Sequence, residues 1–161
     1  METTPEDILN RTVAAVGIIY SKGEIILIKR MEREDDPWTG QIALPGGFSK
    51  PGELPPDTVI REVMEEVNMG FSKESIHAEL ESRSPNRAGW VKVHPFVIKA
   101  ESLTGYSAGP EVSEVRKVKL GSRVASRTES GYESFLFQDW TVWGLTYRIL
   151  LDFIAFENRL I

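Results

Sequence analysis

Cysteine is absent from this 161-residue chain. A disulfide framework and thiol chemistry are thereby excluded, and the composition suits a reducing cytoplasm, where we expect the protein to reside. Histidine is scarce. His77 has no partner at metal-ligand spacing, and His94 lies in an apolar stretch that suits a core histidine. Two imidazoles do not assemble a Ser-His-Asp arrangement. No apolar run approaches the roughly 20 residues of a membrane span. The N-terminal METTPEDILN is acidic and lacks the apolar segment of a signal peptide, so no membrane partner is expected. An excess of positive charge is missing as well. The net charge of −5 argues against nucleic-acid binding, which needs a basic surface, but leaves room for a local basic pocket facing a phosphorylated small molecule.

What is present is a chain of the right length for one domain with a buried core. Residues 1–11 are polar and read as an N-terminal arm, and residues 12–161 as a single domain. Val13 to Tyr20 is almost wholly apolar, which suits a strand buried on both faces. A turn at Lys22-Gly23 leads to a return strand from Glu24 to Arg30, then a polar loop from Met31 to Gly40 and a short strand from Gln41 to Leu44. Further strands are expected at Ile76–Arg83, Trp90–Ala100, Val112–Leu120 and Tyr132–Phe137, with a closing helix over Trp143–Leu160. This order predicts an α/β sandwich with a mixed β-sheet between helices. The apolar face of the closing helix suits either core packing or a homodimer interface.

The most informative stretch runs from Gly46 to Met69. A Gly-Gly turn is followed by Glu53 in a loop, by Pro55-Pro56 where a helix tolerates proline, and by a periodic segment. At 100° per residue Ile60, Val63, Met64 and Val67 are expected on the buried arc, and Glu62, Glu65 and Glu66 on the opposite one. The three glutamates stand at i, i+3 and i+4, a spacing that converges their carboxylates on one patch. Like charges so placed destabilise a helix by roughly 0.2–0.5 kcal/mol per pair. Two readings follow: a solvated acidic face, or a site for a hard dication such as Mg²⁺, which favours carboxylate oxygens.

Gly47, five residues, Glu53, seven residues and then Arg61-Glu62-Val63-Met64-Glu65-Glu66-Val67 together resemble the Nudix box, G-x5-E-x7-R-E-U-x-E-E-x-G-U, with U aliphatic. The departure is Asn68 where the pattern has Gly, and Asn is the next best residue for the left-handed helix end that position requires. The resemblance implies a Nudix-like α/β/α sandwich and hydrolysis of a pyrophosphate linkage in a small-molecule diphosphate with Mg²⁺ or Mn²⁺. It implies Glu62, Glu65 and Glu66 as metal ligands, with the Gly47 carbonyl as a further donor. Glu53 and Arg61 are expected to hold loop and helix in register as an ion pair.

Segments outside the box resemble the coenzyme A diphosphatase branch. Leu27-Ile28-Lys29-Arg30 followed by Gly40 to Gly47 is similar to that branch's L-L-T-x-R-[SA]-x3-R-x3-G-x3-F-P-G-G, but Met31 replaces the small residue, Leu44 replaces Phe, and the spacer is one residue longer. Downstream, Gly89 to Val97 and Val142 to Leu150 also resemble it. The branch implies coenzyme A or an acyl derivative as substrate. The alternatives are ADP-ribose or a nucleoside polyphosphate, and a catalytically silent nucleotide-binding domain. The general base is expected among Glu62, Glu65 and Glu111, the last from a Gly-Pro loop, with nearby Glu114 read as a solvent-facing partner of Arg116. Arg30 is the candidate for the anionic end of the substrate and Trp38 for stacking on its base.

Overall fold

The computed structural model describes residues 11–33 and 40–158. Residues 1–10 of the expected arm and the stacking candidate Trp38 lie outside the described residues. A seven-stranded mixed sheet is built from β1 (Val13–Ser21), β2 (Glu24–Arg30), β3 (Ile42–Ala43), β4 (Gly46–Phe48), β5 (Ile76–Glu79), β6 (Lys92–Lys99) and β7 (Val112–Lys119). Its spine is β3-β2-β1-β6-β5, with β4 paired to β1 and β7 to β2. β1 and β6 run parallel from Val13↔Lys92 to Tyr20↔Lys99, whereas the other pairings are antiparallel.

The apolar run of β1 is covered on both faces. Ala15 and Ile19, with Ile26 and Ile28 of β2, pack against Val59, Val63 and Val67 of helix α1 (Pro55–Val67). Ala14, Ile18, Ile25 and Leu27 face the other way, onto Ile149, Leu150 and Phe153 of helix α2 (Gly144–Asn158). Burying a side chain of this size is worth about 1.5–3 kcal/mol. The central strands therefore tie both layers to one sheet. Arg83 grips Asp152 through Nε at 2.5 Å and Nη2 at 2.9 Å, and the Tyr20 hydroxyl donates to Glu157 at 2.6 Å, fixing α2 on its face.

The α2 side holds more than a helix. A second, three-stranded antiparallel sheet of β8 (Val124–Arg127), β9 (Glu133–Phe137) and β10 (Trp140–Trp143) packs there through Phe135, Phe137, Trp140 and Val142. Among these strands only β9 is expected from sequence. β8 has no apolar alternation, and β9 and β10 are joined by Gln138-Asp139, where a two-residue turn usually shows Asn-Gly or Asp-Gly. Trp143 accordingly ends β10, exposed and stacked on Tyr132 at 5.3 Å, rather than opening the closing helix. The strand expected over Ile76–Arg83 stops at Glu79, with Arg83 making an isolated bridge to Val93.

Candidate active site

The site forms where the Gly-Gly turn meets helix α1. Pro45 brings the chain against β1, its carbonyl accepting from the Gly17 N–H at 2.8 Å, and β4 then pairs Gly46 with Val16 and Gly47 with Ala15. This approach needs glycine. A Cβ on Gly46 would collide with the Ala15 carbonyl oxygen, and one on Gly47 would lie 2.7 Å from the carboxyl carbon of Glu62. With neither present, the Gly46 N–H donates to Glu66 Oε1 at 2.6 Å, and the Glu62 carboxylate rests on Gly47.

The three box glutamates therefore occupy three environments. Glu66 is buried, not on an outward arc as expected, and Met64 is the residue that turns outward, 48% exposed. At about 100° per residue Glu66 falls about 20° from Val59, beneath the buried stripe; only its charge argues for the opposite arc. Burial pushes the Glu66 carboxyl up to about 8, against the Gly46 hydrogen bond, and the charges of Glu62 and Glu111 add to the rise while Arg30 opposes it. Glu62 is also raised by burial, against its contact with Arg61. Glu65 is 54% exposed and leans on Arg61 Nη1 at 3.4 Å.

Arg61 draws Glu62 and Glu65 to itself while the Gly46 N–H holds Glu66, so the three carboxylates do not converge as the spacing implies. Its Nη1 holds Glu62 Oε1 at 2.7 Å as well as Glu65. Nε and Nη2 form a fork on Glu53 at 2.9 and 2.8 Å, and Nη2 also donates to the Phe48 carbonyl at 3.1 Å. This fork, with help from the Lys50 N–H and the Thr58 hydroxyl, holds the Glu53 carboxyl down at about 2. Among the described residues no three carboxylates or histidines close around a single point. The donors nonetheless suit a hard dication: they are oxygens, and Glu66 is buried with too little positive charge beside it to keep it ionised, a deficit that a dication would fill.

The loop 102–111 completes the site from the far end of α1. Asn68 adopts the left-handed conformation (φ 57°, ψ 34°), and its N–H donates to the Met64 carbonyl. Its side chain reaches across to the loop, Nδ2 donating to Ser107 Oγ at 2.8 Å and to the Ser107 carbonyl at 3.1 Å. The loop returns N–H bonds from Ser107 to Val67 O and from Gly109 to Glu66 O, both 3.0 Å. Here too a Cβ would not fit, since it would collide at Gly109 with the Glu65 carbonyl oxygen. These contacts satisfy helix-end carbonyls that are otherwise orphaned. Ser107 and Gly109 carry no sequence signal beyond a turn-rich composition.

Glu111 ends this loop, 70% exposed and paired with Arg33 at 3.4 Å, and its charge is felt at both Glu62 and Glu66. Glu114 is bound instead to Arg116. Between them lies a register shift, with Lys29 opposite Glu114 but Arg30 opposite Val112. Such a bulge re-aims side chains. It leaves Val112 in the α1 core while Glu114 and Arg116 line a cavity together with Trp140. Arg30 acts on Glu66 from the α1 side, and its neighbour Lys29 borders the cavity.

The chain is similar to known proteins in sequence and in fold. A curated relative, the ADP-ribose pyrophosphatase of Methanocaldococcus jannaschii, is 43% identical over 61 residues, which make up 38% of this chain and 34% of the relative. The MutT/nudix family protein of Enterococcus faecalis superposes with a TM-score of 0.69 at 24% identity, over 91% of this chain and 62% of that one. A bifunctional NMN adenylyltransferase/ADP-ribose pyrophosphatase of Francisella tularensis, solved with AMP and a manganese ion, superposes with a TM-score of 0.58 at 23% identity, over 70% of this chain and 35% of that one. The chain thus spans about a third of the curated relative. Residues 9–129 match the family model of the NUDIX domain, three quarters of the chain with the turn, α1 and the Glu111 loop inside it, and the protein belongs to that family.

Proposed function

We propose that this protein hydrolyses the pyrophosphate linkage of a nucleoside diphosphate derivative in a divalent-metal-dependent reaction, with ADP-ribose-type compounds as the substrate class. The observation that carries the reading is the pair Glu62 and Glu66 held against the Gly46-Gly47 turn, with Glu66 buried and short of compensating charge. Glu62, Glu65, Glu66 and the Gly47 carbonyl would hold Mg²⁺ or Mn²⁺. A bound dication supplies Lewis acidity and offsets phosphate charge. The chain's own part is to orient and to move protons. Glu53 fixes Arg61, and Arg61 sets the position of Glu62. Glu111, exposed and electrostatically coupled to Glu62 and Glu66, is our candidate to take the proton of the attacking water. Water oxygen bonds to one phosphorus as the bridging P–O bond breaks, and two phosphomonoesters leave.

The substrate class follows the relatives, two of which are named for ADP-ribose. Coenzyme A, the substrate implied by the segment before the box, has no counterpart in those names; its support is Arg30 with Gly40 to Gly47. The test is a panel of ADP-ribose, coenzyme A and a nucleoside triphosphate with Mg²⁺ or Mn²⁺, products identified by mass. Metal-dependent release of AMP and ribose 5-phosphate is the expected result. Faster turnover of coenzyme A would reverse the substrate ranking, and no turnover on any member would leave a binding domain in place of an enzyme.

A further inference from the structure

Glu111 stands in a tight turn that bridges two sides of the site. In Gly109-Pro110-Glu111-Val112 the Val112 N–H donates to the Gly109 carbonyl at 3.1 Å, the closing bond of a β-turn with proline at its second position. Proline presets the backbone angle there. One end of the turn is tied to α1, where the Gly109 N–H donates to the Glu66 carbonyl at 3.0 Å. The other is tied to the end of β2. There the Met31 N–H donates to the Glu111 carbonyl at 3.1 Å, just past the Arg30–Val112 pairing that follows the bulge. The main chain at Glu111 is thereby held from both sides.

These bonds do not select the rotamer of an exposed side chain. Like charge also works against the place that the Glu111 carboxylate holds, since it and the carboxylates of Glu62 and Glu66 repel one another. Arg33, just beyond Met31, sets its Nη2 3.4 Å from Glu111 Oε1. Both side chains are at least half exposed, and an exposed ion pair adds little to stability. What the pair supplies is direction. The guanidinium offsets the repulsion and keeps the Glu111 carboxylate within electrostatic reach of Glu62 and Glu66.

We propose that Arg33 is a positioning residue: paired with Glu111, it holds that carboxylate where it takes the proton of the attacking water. The inference rests on the hydrolase reading and on the role given there to Glu111. Hydrolysis of ADP-ribose, or of coenzyme A where that is the faster substrate, is measured with Mg²⁺ for the full chain. The variants are Arg33→Gln, Arg33→Lys, Glu111→Gln and the combination of Arg33→Gln with Glu111→Gln, each checked for folding by a melting curve. Arg33→Gln should lower kcat about tenfold or more, a part of the roughly 10²–10⁴-fold that a placed base contributes. Its KM should change less than about twofold, because the lost contact acts on the chemical step. Arg33→Lys should stay within about threefold of the wild type, since the pair is a single contact that a point charge can replace. In the Glu111→Gln background the loss of Arg33 should cost less than about twofold, because the group it positions is gone. Equal losses in the two backgrounds, a change confined to KM, or a faster Arg33→Gln enzyme would overturn the proposal and leave the hydrolase reading intact. No wild-type turnover of either substrate would overturn the hydrolase reading and this inference with it.

Discussion

Glu66→Gln tests the site where its physics is most exposed. The wild-type carboxyl is lifted from 4.5 to about 8 by burial. The folded state therefore holds this proton more tightly than the unfolded chain does, and stability falls as pH rises from about 4.5 to about 8. By pH 7 the rise has covered most of that window. At about 1.4 kcal/mol per unit, the ionised demand of Glu66 costs the metal-free protein about 3 kcal/mol. Glutamine keeps an oxygen for the Gly46 N–H and cannot ionise. In EDTA at pH 7 the variant should be the more stable by up to about 3 kcal/mol, which for a chain of this size is a melting shift of about 6–12 °C. At pH 4.5 the two should melt together. Excess Mg²⁺ should stabilise the wild type far more than the variant, and kcat should fall at least about 10²-fold. Melting curves across pH, with and without metal, are the assay. A variant less stable than the wild type in EDTA at pH 7 would refute the burial argument, and unchanged turnover would refute the role assigned to the carboxylate.

Two further substitutions probe the supports. Glu53→Gln should lose up to about 3 kcal/mol near neutral pH; because the folded carboxyl is depressed to about 2, the wild-type advantage is complete above 4.5 and should fade in denaturation curves as pH falls towards 2. Asn68→Val adds left-handed strain of about 1–2 kcal/mol to the loss of both Ser107 bonds, whereas Asn68→Gly is relieved of strain and loses only the bonds, about 0.5–1.5 kcal/mol each at most; urea titration should rank the wild type above Gly and Gly above Val.

Much of the frame is legible in the chain because its signals are local. The continuous apolar run of β1 announces burial on both faces, and Pro55-Pro56 and Asn68 mark the two ends of α1. The second sheet is hidden for an equally physical reason. Val124–Arg127 is half polar and mostly exposed, so it has no period to detect, and it exists by pairing with β9. The active-site glutamates show both cases. Their identity and spacing are plain, yet the exposure of each is set by partners distant in sequence. Glu66 is buried where a strand 20 residues earlier presents an N–H to it, and Glu65 lies exposed against Arg61.

Arg61 joins these observations into one device. Three carboxylates and a carbonyl share one guanidinium, and the sharing is unequal. Glu53 and Phe48 take Nε and Nη2, which belong to the side that closes the loop, while Nη1 alone is offered to Glu62 and Glu65. The structural grip on Arg61 therefore does not depend on the two acidic groups that face the reaction. If those groups turn to a dication, the guanidinium keeps its fork on Glu53 and the loop stays closed. A lysine, with its point charge and no fork, could not divide its bonds this way. Charge alone would leave the Gly-Gly turn and the helix free to separate, which is why this position calls for arginine and why Glu53, remote from the chemistry, belongs in the same motif.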